Sequence, residues 1–135
     1  MGRVDLPKAL MISIVDDDCF VREATGDLVQ SLGYNVLTFP SAEHFLESGR
    51  VEDTACLITD LQMPGLSGLD LQSHLRAEGH RTPVIFITAF PEERFRERAL
   101  CAGAVGFLSK PFDDKSLINC LEIALKGHGS KDICC

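Results

Sequence analysis

Four groups of residues in this chain have the types and the placement to do chemistry together: Asp16-Asp17-Asp18, the lone Asp60, Thr88 and Lys110. Each sits at or just beyond the end of a short apolar stretch: Met11-Ile-Ser-Ile-Val15, Cys56-Leu-Ile-Thr59, Pro83-Val-Ile-Phe-Ile-Thr88 and Ala104 to Leu108. Carboxylates crowded into a poorly solvated place repel one another, and each tends to take up a proton unless a cation sits among them. Mg²⁺, or Mn²⁺ in its place, suits such a position, because these ions take hard oxygen ligands; Mg²⁺ is usually held by one or two carboxylates plus a phosphate oxygen. A carboxylate can itself attack phosphorus and form an acyl phosphate, and the transferring group then demands positive charge and donors around its oxygens. Asp60 is the best nucleophile. It stands alone after an apolar strand and is followed by Leu61-Gln62-Met63-Pro64-Gly65, a turn sequence that would present it. The metal, Lys110 and Thr88 would meet the demand of the phosphoryl group. Taken singly, Asp60 also reads as a helix cap in a βα loop, so the argument rests on the convergence of the strand ends.

That convergence needs a scaffold. The runs at 11–15, 56–59 and 83–88 are nearly continuous in apolar residues, as strands covered on both faces of a parallel sheet are. Val36 to Phe39 alternates with polar Asn35 and Thr38, which suits an edge strand, and Ala104 to Leu108, interrupted by Gly106, has the least strand-like pattern. Val21, Thr25, Leu28 and Leu32 recur at helical spacing before Gly33 and predict a helix over 19–32, and Ser41 is a good N-cap for the next. Leu71 and Leu75 mark a helix ending near Gly79, Phe95, Ala99 and Ala102 one ending at Gly103, and Leu117, Leu121, Ala124 and Leu125 one ending at Gly127. Five repeats of strand then helix, joined by right-handed crossovers, give a doubly wound α/β domain. The expected sheet has five parallel strands in the order 2-1-3-4-5 with five helices, a flavodoxin-like layout that binds ligands outside the carboxyl ends of its strands.

Composition narrows the function classes. The chain has 135 residues, room for one core, and is 45% hydrophobic and 24% charged, ordinary for a globular domain. Thirteen Lys and Arg against twenty Asp and Glu give a net charge of −7, which repels nucleic acid unless a basic patch is segregated. Arg94, Arg96 and Arg98 are interleaved with Glu92, Glu93 and Glu97 and read as a solvated helix surface, so direct nucleic acid binding is not expected. No apolar run approaches the roughly 20 residues that span a bilayer, and residues 1–14 lack the ordered regions of a secretory signal. A cytoplasmic protein without membrane attachment is expected. The six cysteines form no zinc-binding spacing, and Cys56, Cys101 and Cys120, inside apolar segments, are expected to be small buried hydrophobes. Cys134 and Cys135 have no evident role.

Four segments, Ile14-Val15-Asp16-Asp17-Asp18, Asp60-Leu-Gln-Met-Pro-Gly-Leu-Ser-Gly68, Ile87-Thr88-Ala89 and Lys110-Pro111-Phe112, closely resemble the signature segments of bacterial response-regulator receiver domains, the CheY-like superfamily. They appear in order, which implies a receiver over 10–127 with short tails at 1–9 and 128–135. The resemblance implies that Asp16 and Asp17 hold the metal together with Asp60 and the backbone carbonyl of Gln62, and that Asp18 caps a helix instead. It implies that Asp60 is phosphorylated by a histidine kinase or a histidine phosphotransfer protein, and that Thr88 and Lys110 grip the phosphoryl group. It also implies a cis Lys110-Pro111 bond and a switch pairing Thr88 with the aromatic of strand five, here Phe107. Such a domain catalyses only its own phosphorylation and dephosphorylation and signals through a protein surface.

Some features particularise the resemblance. Phe107 lacks the hydroxyl of the Tyr also common there, so a switch would rely on packing. Phe90, two residues past Thr88, could obstruct the water that hydrolyses the acyl phosphate. Ser41-Ala-Glu-His-Phe-Leu46 and Gly103-Ala-Val-Gly-Phe-Leu108 resemble receivers that precede a LuxR-type helix-turn-helix output domain, and after His128 only seven residues remain. The chain is therefore expected to act through an effector protein or to be part of a longer regulator. Three readings compete: a metal-dependent phosphatase with its nucleophile in Asp16-x-Asp18, a flavin carrier of the same fold, and a docking module that has lost phosphorylation. A flavin carrier would want a Ser/Thr/Gly-rich phosphate loop after strand one, which is lacking.

Overall fold

The computed structural model describes residues 10–126, and within them every segment read as a strand pairs into one sheet. The strands are β1 (Met11–Val15), β2 (Asn35–Phe39), β3 (Cys56–Asp60), β4 (Val84–Thr88) and β5 (Gly106–Ser109). They are parallel and ordered β2-β1-β3-β4-β5, as the sequence predicts. The helices α1 (Cys19–Ser31), α2 (Ala42–Glu47), α3 (Gly68–Ala77), α4 (Glu93–Cys101) and α5 (Asp114–Lys126) occupy the crossovers.

Boundaries shift by a residue or two. Asp60 is the last residue of β3 rather than the first beyond it, β4 starts at Val84 rather than Pro83 and ends on Thr88 as read, and β5 runs Gly106–Ser109 rather than 104–108. Leu32 caps α1, and Gly33, Gly79 and Gly103 take positive φ just past α1, α3 and α4, the conformation that ends a helix with a glycine. The expected cap at Gly127 lies outside the described residues, as do Cys134 and Cys135.

Alternate strand residues feed two cores, one on each side of the sheet. Val15, Leu57, Val84 and Phe86 pack with Phe45 of α2, Leu71 and Leu75 of α3 and Ala99 of α4. Ile12, Ile14, Cys56, Ile58, Ile85 and Ile87 pack with Val29 of α1 and Leu117, Leu121 and Ala124 of α5. Burial on both sides explains why the central strands read as continuous apolar runs.

The cysteine expectation holds in part. Cys56 is fully buried and burial pushes its thiol up to about 12, but Cys120 is only half-buried, and Cys101 is exposed. On α4 the buried position is Ala99, and Cys101, two residues on and about 200° around the helix, turns to the opposite side.

Candidate functional site

The register delivers the acids to one edge. β1 lies between β2 and β3, so Asp16, leaving β1 after Val15, emerges beside Asp60 at the end of β3. Asp60 pairs with Ile87, and Thr88, the next residue, pairs with Ser109, which places Lys110 at the same edge. The amide of Lys110 donates to the Thr88 carbonyl at 2.7 Å, and that of Leu61 to the Ile87 carbonyl at 3.0 Å.

The turn after β1 divides its three acids. Asp18 is the N-cap of α1, its Oδ1 accepting the amides of Phe20 at 3.0 Å and Val21 at 3.4 Å. Asp16 is wholly buried; its Oδ1 accepts the Asp18 amide at 2.9 Å, and its carbonyl accepts Arg22 Nη1 at 2.7 Å. Asp17 is exposed. Oxygens of Asp16, Asp17 and Asp60 all lie within 4.8 Å of one another, the sole such group of potential metal ligands among the described residues.

Lys110 reaches into this group. Its Nζ stands 3.0 Å from Asp16 Oδ2 and hydrogen-bonds Asp60 Oδ2 at 3.3 Å. The contact with Asp16 is an ion pair without hydrogen-bond alignment, so Asp16 Oδ2 is buried without a hydrogen-bond partner. Burial alone would lower the pKa of the Lys110 amine, but Asp16 and Asp60 outweigh it and the net shift is upward, which keeps the amine charged. The Asp60 carboxyl is also pushed up, which for an acid disfavours the charged form. Burial, then the charge of Asp16, pushes it up to about 6 against the pull of Lys110. One lysine facing three carboxylates leaves negative charge unbalanced. A buried oxygen without a hydrogen bond and three hard oxygen donors within 4.8 Å therefore fit a small divalent cation such as Mg²⁺.

The remaining expected residues are distributed around this group. Thr88 is fully buried and its Oγ1 accepts the Phe90 amide at 3.0 Å. Phe90 itself is exposed. Phe107 is partly buried with its ring 6.4 Å from that of Phe86. The Lys110-Pro111 bond is cis, as the resemblance implies. Gln62 is exposed in the loop between β3 and α3. That loop is closed by the Gly68 amide donating to the Leu61 carbonyl at 2.8 Å, and a Cβ at Gly68 would overlap the Asp60 carbonyl oxygen. Sequence reasoning missed Arg22, which braces the Asp16 carbonyl from the first turn of α1, and it gave no role to Glu43. Nothing in composition marks an arginine six residues beyond the acid it supports.

Elsewhere the surface matches the charge reading. Arg94 pairs with Glu92 at 3.0 Å and Arg96 with Glu93 at 3.5 Å, both exposed on or beside α4. Among the described residues no helix is long and apolar enough to cross a membrane.

Comparison with known proteins agrees with the geometry. Residues 12–122 match the family described as the response regulator receiver domain. Response regulator protein TodT of Pseudomonas putida is 41% identical over 119 residues, 88% of this chain and 52% of that protein. Transcriptional regulatory protein FixJ of Azorhizobium caulinodans is 38% identical over 120 residues, 89% of this chain and 57% of that protein. The chain thus spans about half the length of the curated relatives it matches. Among solved structures, response regulator StyR superposes with a TM-score of 0.81 at 42% identity, covering 87% of this chain and 60% of that one. FixJ-N gives 0.80 at 32% identity over 93% of this chain and 100% of that one. An acid cluster at the carboxyl edge of a 2-1-3-4-5 sheet and a match over 12–122 lead to one conclusion: the chain belongs to the response regulator receiver domains of two-component systems.

Proposed function

We propose that Asp60 accepts a phosphoryl group from a histidine kinase or a histidine phosphotransfer protein, and that the phosphorylated domain signals through a changed protein-binding surface. The observation that carries this reading is the placement of Lys110 Nζ, 3.0 Å from Asp16 Oδ2 and 3.3 Å from Asp60 Oδ2. A cation at that point both holds the nucleophile and meets the charge of an incoming phosphoryl group.

In the reaction an Asp60 carboxylate oxygen forms a bond to phosphorus as the bond from phosphorus to the donor histidine nitrogen breaks, leaving an acyl phosphate on Asp60. Asp16, Asp17, Asp60 and the Gln62 carbonyl would hold Mg²⁺ or Mn²⁺, which when bound supplies positive charge to the phosphoryl oxygens. Lys110 supplies the charge that belongs to the chain itself. Thr88 offers its hydroxyl at the next strand end, and Phe107, paired with Phe86 two residues before Thr88 in the register, is the partly buried aromatic whose position can respond. The output is an effector protein or a further domain of a longer regulator. The phosphatase alternative is disfavoured because Asp18, needed in its motif, is occupied in capping α1.

The test is to incubate the chain with a small phosphodonor and Mg²⁺ and weigh the intact protein. An acid- and base-labile phosphoryl adduct is expected on the wild type and none on Asp60→Asn. An adduct that persists in the variant, or one stable to strong acid and base, overturns the proposal.

A further inference from the structure

The segment Ser41-Ala-Glu-His-Phe-Leu46, distinctive in the sequence, contributes a side chain that none of the roles above uses. Ser41 caps α2 by accepting the His44 amide at 3.1 Å, and this sets Glu43 in the first turn of the helix. From there the Glu43 carboxylate crosses to the loop between β3 and α3, where Oε2 accepts the Leu66 amide at 3.0 Å across 23 residues of sequence. The same oxygen lies against Gly65, whose φ is +79°; a Cβ there would come within 2.5 Å of it. The left-handed conformation favours glycine at 65, and a Cβ there would push the Glu43 carboxylate aside.

The loop receiving this bond begins at Asp60. Its start is tied by the Leu61 amide to β4 and its end by the Gly68 amide to Leu61, while Leu61 and Met63 are buried in the core. Between those ties Gln62, Pro64 and Gly65 are exposed, and beyond the buried Met63 the bond to the Leu66 amide is a further hold on the stretch. Bonds from a backbone amide to a carboxylate are among the stronger ones.

We propose that Glu43 is a positioning residue for the cation site: by holding the Leu66 amide it fixes the path of the loop that carries the Gln62 carbonyl. The inference rests on the reading of Asp16, Asp17 and Asp60 as cation ligands given under Proposed function. Ser41 and His44 also face the carboxylate, and the Leu66 amide is the strongest of the influences that hold its pKa below the usual carboxylate range.

Two measurements on the full chain test it, with Glu43→Ala, Glu43→Gln and, as a control of equal charge on the same helix, Glu47→Ala. The first is hydrogen exchange of the Leu66 amide without metal. The second is Mg²⁺ affinity by calorimetry, with urea midpoints to separate global stability. For Glu43→Ala we expect Leu66 exchange to accelerate by about tenfold, the weight of one charge-assisted bond, and Mg²⁺ affinity to fall by about threefold or more, with the urea midpoint lowered by no more than the loss of that one bond accounts for. Glu43→Gln keeps an acceptor oxygen and should restore most of both, and Glu47→Ala should match the wild type. Unchanged Leu66 exchange in Glu43→Ala overturns the proposal, and so does faster exchange with unaltered Mg²⁺ affinity. A wild-type chain that binds no Mg²⁺ overturns the cation reading and this inference with it. Because Leu66 exchange is read without metal, it tells that failure from a failure of Glu43 to hold the loop.

Discussion

Asp60 carries an unusual proton balance for a carboxylate that we propose acts as a nucleophile. Burial and the Asp16 charge push it up from 3.8 to about 6 when no metal is bound. An acid whose pKa is raised by folding holds its proton more tightly in the folded chain than in the unfolded one. Below about pH 4 both states are protonated and the group contributes nothing. As pH rises through 6 the unfolded chain ionises first, and a penalty on folding grows until both states are ionised. Asp60→Asn removes that penalty. Without Mg²⁺, urea denaturation near neutral pH should find the variant more stable than wild type by about 1–3 kcal/mol, and the gap should close below about pH 4. A variant less stable than wild type at neutral pH would show that the Lys110 contact outweighs burial and Asp16.

Among the elements, the N-terminal turns do much of the sorting of roles. The three consecutive acids after β1 are chemically alike, yet Asp18 is committed to the first turn of α1, Asp16 is buried and braced by Arg22, and Asp17 faces outward. The division predicts opposite phenotypes. Asp18→Ala should cost about 1 kcal/mol of stability for the lost cap and leave Mg²⁺ affinity within a few-fold of wild type. Asp17→Ala should weaken Mg²⁺ binding far more while barely moving the urea midpoint. Asp18→Ala losing Mg²⁺ as thoroughly as Asp17→Ala would make Asp18 a ligand and refute the division. The α3 end of the site is fixed by a similar device. Ser67 and Asp70 form a capping box, and Gly68 lets the helix start lie against the Asp60 carbonyl.

For the whole molecule, the sheet separates two cores that share only its backbone. Ile12 of β1 belongs to the α1 and α5 side, and Leu75 of α3 to the other. Ile12→Val should cost about 0.5–1.5 kcal/mol and Leu75→Ala about 2–5 kcal/mol, each through lost packing at a fully buried site. Since the residues lie in different clusters, their costs should add to within about 0.5 kcal/mol in the double variant. A larger coupling energy by equilibrium denaturation would mean that the sheet transmits packing strain between its faces.

The amino-acid sequence by itself determined the five strand and helix repeats, the strand order and the acids at the carboxyl edge. Apolar runs of strand length, glycines after helical periods and acids beyond strands are local signals, and right-handed crossovers leave few ways to assemble them. Through resemblance to a family it also separated Asp18, as a helix cap, from the acids proposed to hold a cation. Only the tertiary structure decided which groups meet across long separations. Lys110 bridges to Asp16 and Asp60, Arg22 braces Asp16, and Glu43 holds Leu66. The exposure of Cys101 likewise depends on the face α4 turns to the sheet, which an apolar neighbourhood in sequence does not reveal. The physical reason is common to all four. Pattern along the chain reports burial averaged over an element, whereas side-chain direction and reach are set by how whole elements pack.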